Sequence, residues 1–282
     1  MKMAFKRTLE MRVGVGDSAV IISGLDVSFN INRTITPSEN TAEFVVYNAS
    51  ESTRRDILKE GNNIIFSAGY VDEDSSVIFI GNIDKAISYR EEADWVTEIE
   101  SKAIRSKSQS LDNVNVSLSF SENTGYDVIL QQVTNALGLS LFGGQNVSDI
   151  KIPSNFVYVG DARAALKNIS SKLREFGKSV YIDNGEAIVY NTGQQSEEFT
   201  VQYLTYDSGL LSVSDITEYE AEKDRGNKKR VGFECIMMSS LQPNSLITIK
   251  NTDNDGVYIV ESLNFYGDNF GGDFNVSGEA SE

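Results

Sequence analysis

Hydrophobic residues recur at every second position through both ends of this chain and at every third or fourth in its middle. The clearest alternation lies near the C-terminus. Val231, Phe233, Cys235 and Met237 alternate with Gly232 and Glu234, the period of a strand with one buried face. Pro243-Asn244 interrupts the ladder, because proline has no N–H to give and asparagine tolerates turn geometry. Leu246, Ile247 and Ile249 resume it, and Asp255-Gly256 is expected to supply the positive φ angles of a hairpin turn. Beyond that turn Val257, Ile259, Leu263 and Phe265 are expected on one face, with Glu261 as the single break. Successive strands of this kind look like part of a barrel wall.

The opening stretch has the same grammar. Phe5, Leu9, Met11 and Val13 alternate with Lys6, Thr8, Glu10 and Arg12, and Gly14-Val15-Gly16-Asp17 turns the chain. Leu25, Val27, Phe29 and Ile31 alternate again, Pro37-Ser38-Glu39-Asn40 reads as a loop, and Ala42, Phe44 and Val46 form the next strand. Asn48 to Lys59 changes period: Ser and Thr offer caps for a short helix, and Gly61 ends it. Ile64, Phe66 and Ala68, then Val77 to Ile80 and Trp95 to Ile104, return to strand. A first β-rich unit is therefore expected over 1–106.

From Ser121 the apolar positions follow helical spacing. Tyr126, Ile129, Leu130, Val133 and Leu137 predict one amphipathic helix, with Thr124 and Asp127 as a capping box and Gly138 as its stop. After a Gly/Asn-rich loop, Ala162, Ala165, Leu166, Ile169, Leu173 and Phe176 predict a second, ending at Gly177. Ser179–Ile182 and Ala187–Tyr190 flank Asn184-Gly185, a strong hairpin signal. A helix–helix–hairpin domain over 107–195 is thus expected between two strand-rich units, with the polar stretch Thr192–Glu198 closing it and the last unit at 196–282.

Composition narrows what such a protein does. Of 282 residues, 40% are hydrophobic and 23% charged, the balance of a soluble globular chain. No apolar run is long enough for a bilayer, and MKMAFKRTLE has no apolar segment behind its charges, so neither membrane insertion nor a signal peptide is expected. The single cysteine, Cys235, excludes an internal disulfide, fits a reducing cytoplasm and reads as a small core residue. Histidine is absent, which removes Ser-His-Asp and Cys-His nucleophiles and HExxH zinc sites. A net charge of −16 argues against holding nucleic acid; the nearest basic cluster, Lys223–Arg230, is short. An acidic surface can still face DNA in order to repel it.

No motif for chemistry survives its structural requirements. Gly14-x-Gly16-x-x-Ala19 has the spacing of a dinucleotide fingerprint, but β-branched Val20-Ile21-Ile22 follows where a helix must start. Asn251–Gly256 opens like a calcium loop, yet Ser262 stands at the twelfth position, with Glu261 one place early. A turn is expected there, leaving open whether Asp253 and Asp255 take a cation weakly. Asp207-Ser208-Gly209 resembles an aspartic-protease loop without a second copy. Glu91-Glu92 with Asp94, and Asp72-Glu73-Asp74, read as solvated hairpin tips, and Trp95 is expected in the core. The Asn-x-Ser/Thr sites at Asn48, Asn115 and Asn275 carry no meaning without export. Catalytic, cofactor and metal sites are all expected to be none.

Phe44–Ser50, Thr53-Arg54, Gly61, Ala68-Gly69-Tyr70 and Ile78–Ile83 resemble the first domain of baseplate hub proteins of contractile-tailed phages. Ser208-Gly209-Leu210-Leu211, the Val231–Val260 pattern and Gly267-Asp268 are similar to that family's second tube domain. The resemblance implies a mainly β (α+β) fold: two β-barrel-like tail-tube domains with a small inserted helix-helix-hairpin domain. It further implies a homotrimer forming a pseudo-six-fold ring around a genome channel. Its partners would be the tail tube protein on one face, the trimeric spike on the other and further baseplate proteins. DNA would pass without specific binding. The protein would be made in the host bacterial cytoplasm and reside in the virion tail, without enzymatic activity. Alternatives are another tail ring, such as a distal-tail adaptor or tube subunit, and a carbohydrate-binding or cell-wall hydrolase protein.

Overall fold

The structure is a computed structural model that describes residues 6–14, 19–36, 40–59, 62–71, 75–103, 114–192, 201–216, 229–250 and 252–282. Phe5, Val15-Gly16-Asp17, Pro37-Ser38-Glu39, Gly61, Asp72-Glu73-Asp74, Ile104, Lys223 to Lys228, Asn251 and most of the stretch Thr192–Glu198 lie outside the described residues. The chain begins with β1 (Arg7–Val13), β2 (Val20–Ile22), β3 (Val27–Thr34), β4 (Thr41–Tyr47), α1 (Glu51–Ile57), β5 (Asn63–Tyr70), β6 (Ser76–Glu91) and β7 (Asp94–Ala103). The middle adds β8 (Asn115–Phe120), α2 (Tyr126–Leu137), β9 (Ser140–Phe142), β10 (Phe156–Asp161), α3 (Ala162–Arg174), β11 (Lys178–Asp183) and β12 (Glu186–Asn191). The C-terminal part supplies β13 (Gln202–Leu204), β14 (Leu210–Asp215), β15 (Arg230–Ile236), β16 (Leu246–Ile249), β17 (Gly256–Asp268) and β18 (Phe274–Ser281). The protein is mainly β.

Two compact units result. The larger holds Met1–Arg33, Thr41–Lys102 and Glu197–Glu282; the smaller holds Thr34–Asn40 and Ala103–Ser196. In the larger, one sheet runs β14-β15-β18-β17-β3-β4-β7-β6-β5-β1-β2, with β16 and β13 branching from β17. The N- and C-terminal stretches therefore share a sheet across β17 and β3. Its buried face is aromatic: Phe29 meets Phe66 at 5.0 Å and Phe274 at 5.9 Å, and Tyr70 meets Phe274 at 5.4 Å. Arg7 ties the same junction from outside. Its guanidinium lies 5.1 Å over Phe274 and donates to the carbonyls of Asp268 and Gly272 at 2.8 and 2.6 Å.

Several expectations are corrected here. In β17 the buried residues are Tyr258, Val260, Leu263 and Phe265, whereas Val257 is 51% exposed and Ile259 only half-buried. A bulge against β18 between Val260 and Ser262 adds one residue and moves the buried set from even to odd numbers. Glu261, which interrupts the pattern, sits inside that bulge. Neither Asp255 nor Gly256 has positive φ. The turn is closed instead by Asp255, whose Oδ1 accepts from Thr252 N at 2.7 Å. Gly256 is small because a Cβ there would meet the Tyr258 ring at about 3.0 Å. Leu25 precedes β3, which starts at Val27. The strand expected over Val77–Ile80 runs on to Glu91, forming with β7 a hairpin whose tip holds Glu92 at φ 51°.

The smaller unit packs α2 and α3 over two small sheets, β10-β8 and β11-β12-β9. Buried Ile129, Leu130, Val133 and Leu137 of α2, with Ala165, Leu166, Ile169 and Leu173 of α3, follow the helical spacing. Gly138 closes α2 in the left-handed conformation. No capping box forms: Gly125 is the N-cap without a side-chain bond, and Thr124 Oγ1 donates instead to Ser121 O at 2.7 Å. For α3, Asp161 is the cap, accepting from Ala164 N at 2.8 Å. Phe176 lies beyond α3 and is 52% exposed, since the helix has ended two residues earlier. Asn184 and Gly185, both at positive φ, make the β11–β12 turn. Strands β8, β9 and β10 are additions to the helix–helix–hairpin expectation. The segment Thr34–Asn40 joins this unit through Asn40, whose Nδ2 donates to Asp183 Oδ1 at 2.7 Å in a buried contact.

Candidate functional site

The most extensive constructed feature of the larger unit is the outward face of its sheet. Strand alternation that turns Phe29, Phe44, Ile99, Phe233, Phe265 and Val276 inward turns polar residues outward on every one of these strands. Register then aligns them into rows. Ser212 stands opposite Glu234, Glu234 opposite Ser277, and Ser277 opposite Asn264. Asn264 Nδ2 donates to Asn30 and Asn32 at 2.7 and 2.8 Å, bridging β17 to β3. Asn30 stands opposite Glu43, and Glu43 opposite Glu100, which accepts from Lys85 of β6 at 2.8 Å. A polar row thus crosses from β14 to β6.

Two local networks stiffen it. Tyr266 OH donates to Glu234 Oε1 at 2.5 Å, and Asn275 Nδ2 to the same oxygen at 3.1 Å. Burial pushes the Tyr266 phenol up, and the Glu234 hydrogen bond pushes it further. Arg230 donates to Glu261 and Glu279 at 2.9 and 3.0 Å, and Ser281 adds a 2.8 Å bond to Glu261. At the other end Glu100 raises the Lys85 ammonium, and Glu98 raises the Tyr89 phenol through a 2.8 Å hydrogen bond. A shallow groove of about 540 Å³ lies on this face, floored by Gly232, Gly278 and Ser262 and edged by Asn264, Glu234 and Glu279. Gly278 allows the strands to approach: a Cβ there would stand 2.6 Å from Ser262 O and 2.7 Å from the Phe233 ring. Carboxylates Glu43, Glu98, Glu100, Glu234, Glu261 and Glu279 outnumber Lys85, Lys102 and Arg230 here, so the face is acidic as well as polar.

The residues singled out from sequence fall elsewhere and apart. Glu91, Glu92 and Asp94 occupy the exposed tip of the β6–β7 hairpin. Asp94 accepts from Asn48 Nδ2 at 2.9 Å, and Asn48 Oδ1 in turn accepts from Trp95 N at 3.0 Å, so that sequon asparagine is a structural brace. Trp95 is 37% exposed, a correction to its expected core position. It lies beside the hairpin tip, where the Arg54 guanidinium stacks 3.8 Å over its ring. Asn115 and Asn275 lie on β8 and β18.

Asp207 belongs to a 3-10 turn closed by reciprocal Thr205–Ser208 bonds. Gly14 is followed, after undescribed residues, by strand β2. Asp253 and Asp255 sit in the turn before β17, and among the described residues no three His, Cys, Asp or Glu side chains cluster as metal ligands. Cys235 is buried, and burial pushes its thiol up to about 12. Of the basic stretch, Lys229 lies 3.9 Å from Asp215, and Arg230 is engaged with its two glutamates. No helix among the described residues is long and apolar enough to cross a membrane.

The polar sheet face was not legible as a site. Its members are spread from Ser28 to Ser281 and each is an ordinary outward strand position; Glu234, Glu261, Asn275 and Arg230 belong to separate local patterns in the sequence, none of which marks a shared surface.

Comparison with known proteins gives this architecture a context. A family model described as baseplate hub gp41 matches residues 5–280. No curated protein matches in sequence. Among solved structures, the 43 kDa tail protein of prophage MuSo2 from Shewanella oneidensis superposes with a TM-score of 0.68 at 9% identity, over 98% of both chains. A tail protein from Neisseria meningitidis MC58 gives 0.69 at 8% identity, over 99% of this chain and 97% of that one. The E. coli c3393 protein gives 0.64 at 11% identity, over 96% of this chain and 76% of that one. It is described as a type VI secretion component structurally similar to the T4 phage tail proteins gp27 and gp5. The chain therefore has a tail-protein fold.

Proposed function

Because the chain belongs to the baseplate hub gp41 family, we propose that it assembles as a trimeric ring in a phage tail, with the sheet's acidic polar face lining the channel. Residues 1–106 and 196–282 are its two tube-like domains and 107–195 the insertion, so three chains present six similar elements around the axis. Such a ring joins a six-fold tail tube on one side to a three-fold spike on the other, by self-complementary surfaces without chemistry. The protein acts as a structural component of the virion, and its described residues offer no constellation for catalysis.

The observation that carries the reading is the single sheet shared by both ends of the chain, crossed by a row of polar residues from β14 to β6. A surface over which DNA must slide needs wettable groups and net negative charge, because fixed cations would hold phosphates. Asn30, Asn32, Asn264 and Ser277 supply the first, and Glu43, Glu98, Glu100 and Glu234 the second. The likeness to a protein described as structurally similar to the T4 tail proteins gp27 and gp5 supports other tail proteins as partners.

Light scattering together with negatively stained class averages tests the ring. The expected result is a mass about three times the 31.1 kDa chain and a three-fold particle with a central hole. A six-fold ring would instead favour a tube or distal-tail adaptor. For the lumen, the ring carrying Glu43→Lys and Glu100→Lys should retain duplex DNA at low salt, where the unmodified ring does not. Equal retention by both would remove this face from the channel.

A further inference from the structure

We infer that the exposed ridge of α3 is a docking surface for an acidic segment of a different protein, with Lys167 and Arg174 on one flank of the ridge and Lys172 on the other. The inference rests on the tail reading above only for where that protein is to be found. Helix α3 carries four cations, Arg163, Lys167, Lys172 and Arg174, without a carboxylate among its 13 residues. The chain as a whole has 41 acidic and 25 basic residues. Residues 34–40 and 103–196 hold eight basic and nine acidic ones. The larger unit therefore carries nearly all of the net −16, the smaller is close to neutral, and half of the smaller unit's cations stand on this one helix.

Stability of the helix does not account for them. Its macrodipole favours cations in the last turn, which fits Lys172 and Arg174. Lys167 stands mid-helix, and Arg163 lies in the first turn, where the dipole opposes a positive charge. Nor are Lys167 and Arg174 held in ion pairs among the described residues. Helix α1 shows the other arrangement: Arg55 meets Glu51 at 2.5 Å, and Lys59, just past its end, meets Asp56 at 2.6 Å. Cations that find no carboxylate on their own protein are presented to another.

The helix also gives them a shape. Ala165, Leu166, Ile169 and Leu173 are buried in the core, which leaves the opposite side to solvent. Ala164, Asn168 and Ser171 form its exposed crest, short enough for a partner backbone to lie close. Lys167 and Arg174, seven residues apart, share one flank about 10 Å apart along the axis. Lys172 stands on the other flank, its ammonium 4.8 Å over the Phe156 ring, so it is positioned without a carboxylate being used. Exposed Phe176, two residues past the helix, adds an apolar anchor at the Arg174 end.

A protein segment fits this surface better than nucleic acid does. Holding a phosphate backbone takes many contacts, against the field of a chain at −16. Two or three matched carboxylates suffice for a protein, at a range where salt screens the rest of that field.

Zero-length carbodiimide cross-linking of purified tails tests the contact, because the reagent joins a lysine amine only to a carboxylate beside it. The exposed pair Lys85–Glu100, at 2.8 Å, should link in every sample and shows that the reagent has acted. The expected result is a peptide joining Lys167 or Lys172 to an aspartate or glutamate of a different protein. Arg174→Gln leaves both lysines in place and should lower that yield at least tenfold with an unchanged melting temperature. An undiminished yield would overturn the inference. So would the lack of any link from either lysine in tails that contain the chain, which would leave the tail reading standing. Links to carboxylates of another copy would overturn it in favour of self-contact. Retention of duplex DNA by the purified chain, lost with Arg174→Gln, would overturn it in favour of nucleic acid. Tails that lack the chain would overturn the tail reading and the inference together.

Discussion

The two units are stabilised by cores of different origin. In the smaller, the buried positions are local: α2, α3 and the Asn184-Gly185 hairpin each present an apolar face set by their own few residues, and the buried side chains are mainly aliphatic, with Tyr126, Tyr181 and Tyr190 as the aromatic ones among the described residues. In the larger, Phe29, Phe66 and Phe274 come from three separate strands, and Phe274 becomes a neighbour of Phe29 once β17 has paired with β3. The smaller unit can be read as a set of independent elements. The larger is one sheet, in which strands from both ends of the chain share one buried cluster.

Removing Phe274 should break the comparison most visibly. Phe274→Ala deletes the ring that contacts Phe29, Tyr70 and the Arg7 guanidinium, so a loss of about 3–5 kcal/mol is expected in denaturant unfolding. Both ends of the large sheet should then lose amide protection together in hydrogen exchange. Protection lost on β17 and β18 alone would mean that the halves fold separately.

The second test strikes the smaller unit where Asn40 enters it. Asn40→Asp sets a carboxylate 2.7 Å from that of Asp183 in a buried place, and about 3 kcal/mol of destabilisation is expected. Asn40→Ala should cost less, since it brings no second charge.

Two glycines sharpen the contrast at smaller scale. Gly278→Ala forces a methyl against Ser262 O and the Phe233 ring, and should cost about 1–3 kcal/mol by overpacking the sheet. Gly177→Ala meets nothing within 4 Å, so only its φ of +69° opposes it, at about 1–2 kcal/mol. Thermal melts of the two variants read the difference, and equal shifts would show that close approach at Gly278 carries no extra cost.

The effect that is absent at neutral pH is a response of Cys235 in the larger unit to alkali. Cys235 holds its proton in the folded state up to about pH 12, whereas the unfolded thiol releases it near its ordinary value of 9. The folded form therefore binds more protons between those values. Stability should be complete below pH 9 and fall as pH rises toward 12. Cys235→Ala should flatten that part of the stability profile, and a thiol reagent should label native protein only as fast as it unfolds. Rapid labelling at pH 8 would contradict the burial.

Much of the fold was legible because inward and outward positions are written locally. Met11 and Val13, Val27 to Ile31, Ala42 to Val46 and Val231 to Cys235 are buried on the faces their alternation predicts. So are the apolar positions of α2, and those of α3 up to Leu173. The polar face was another matter. Ser277, Asn264, Asn30, Glu43 and Glu100 carry no common signature, and they become one surface only through pairings such as that of Asn30 with Asn264, 234 positions apart in sequence.

The sequence by itself therefore determined the strand and helix periods, the turn at Asn184-Gly185, the lack of histidine chemistry and the acidic charge. Each is a property of composition or of a few adjacent residues. Tertiary structure alone decided which strands are neighbours, and with that the rows of the polar face. It also decided the reversal within β17, because the extra residue of a bulge exists only relative to the partner strand. Trp95 makes the same point from outside the core. Its hydrophobicity is local, but whether anything covers it depends on where the β6–β7 hairpin ends, and there the covering group is the guanidinium of Arg54.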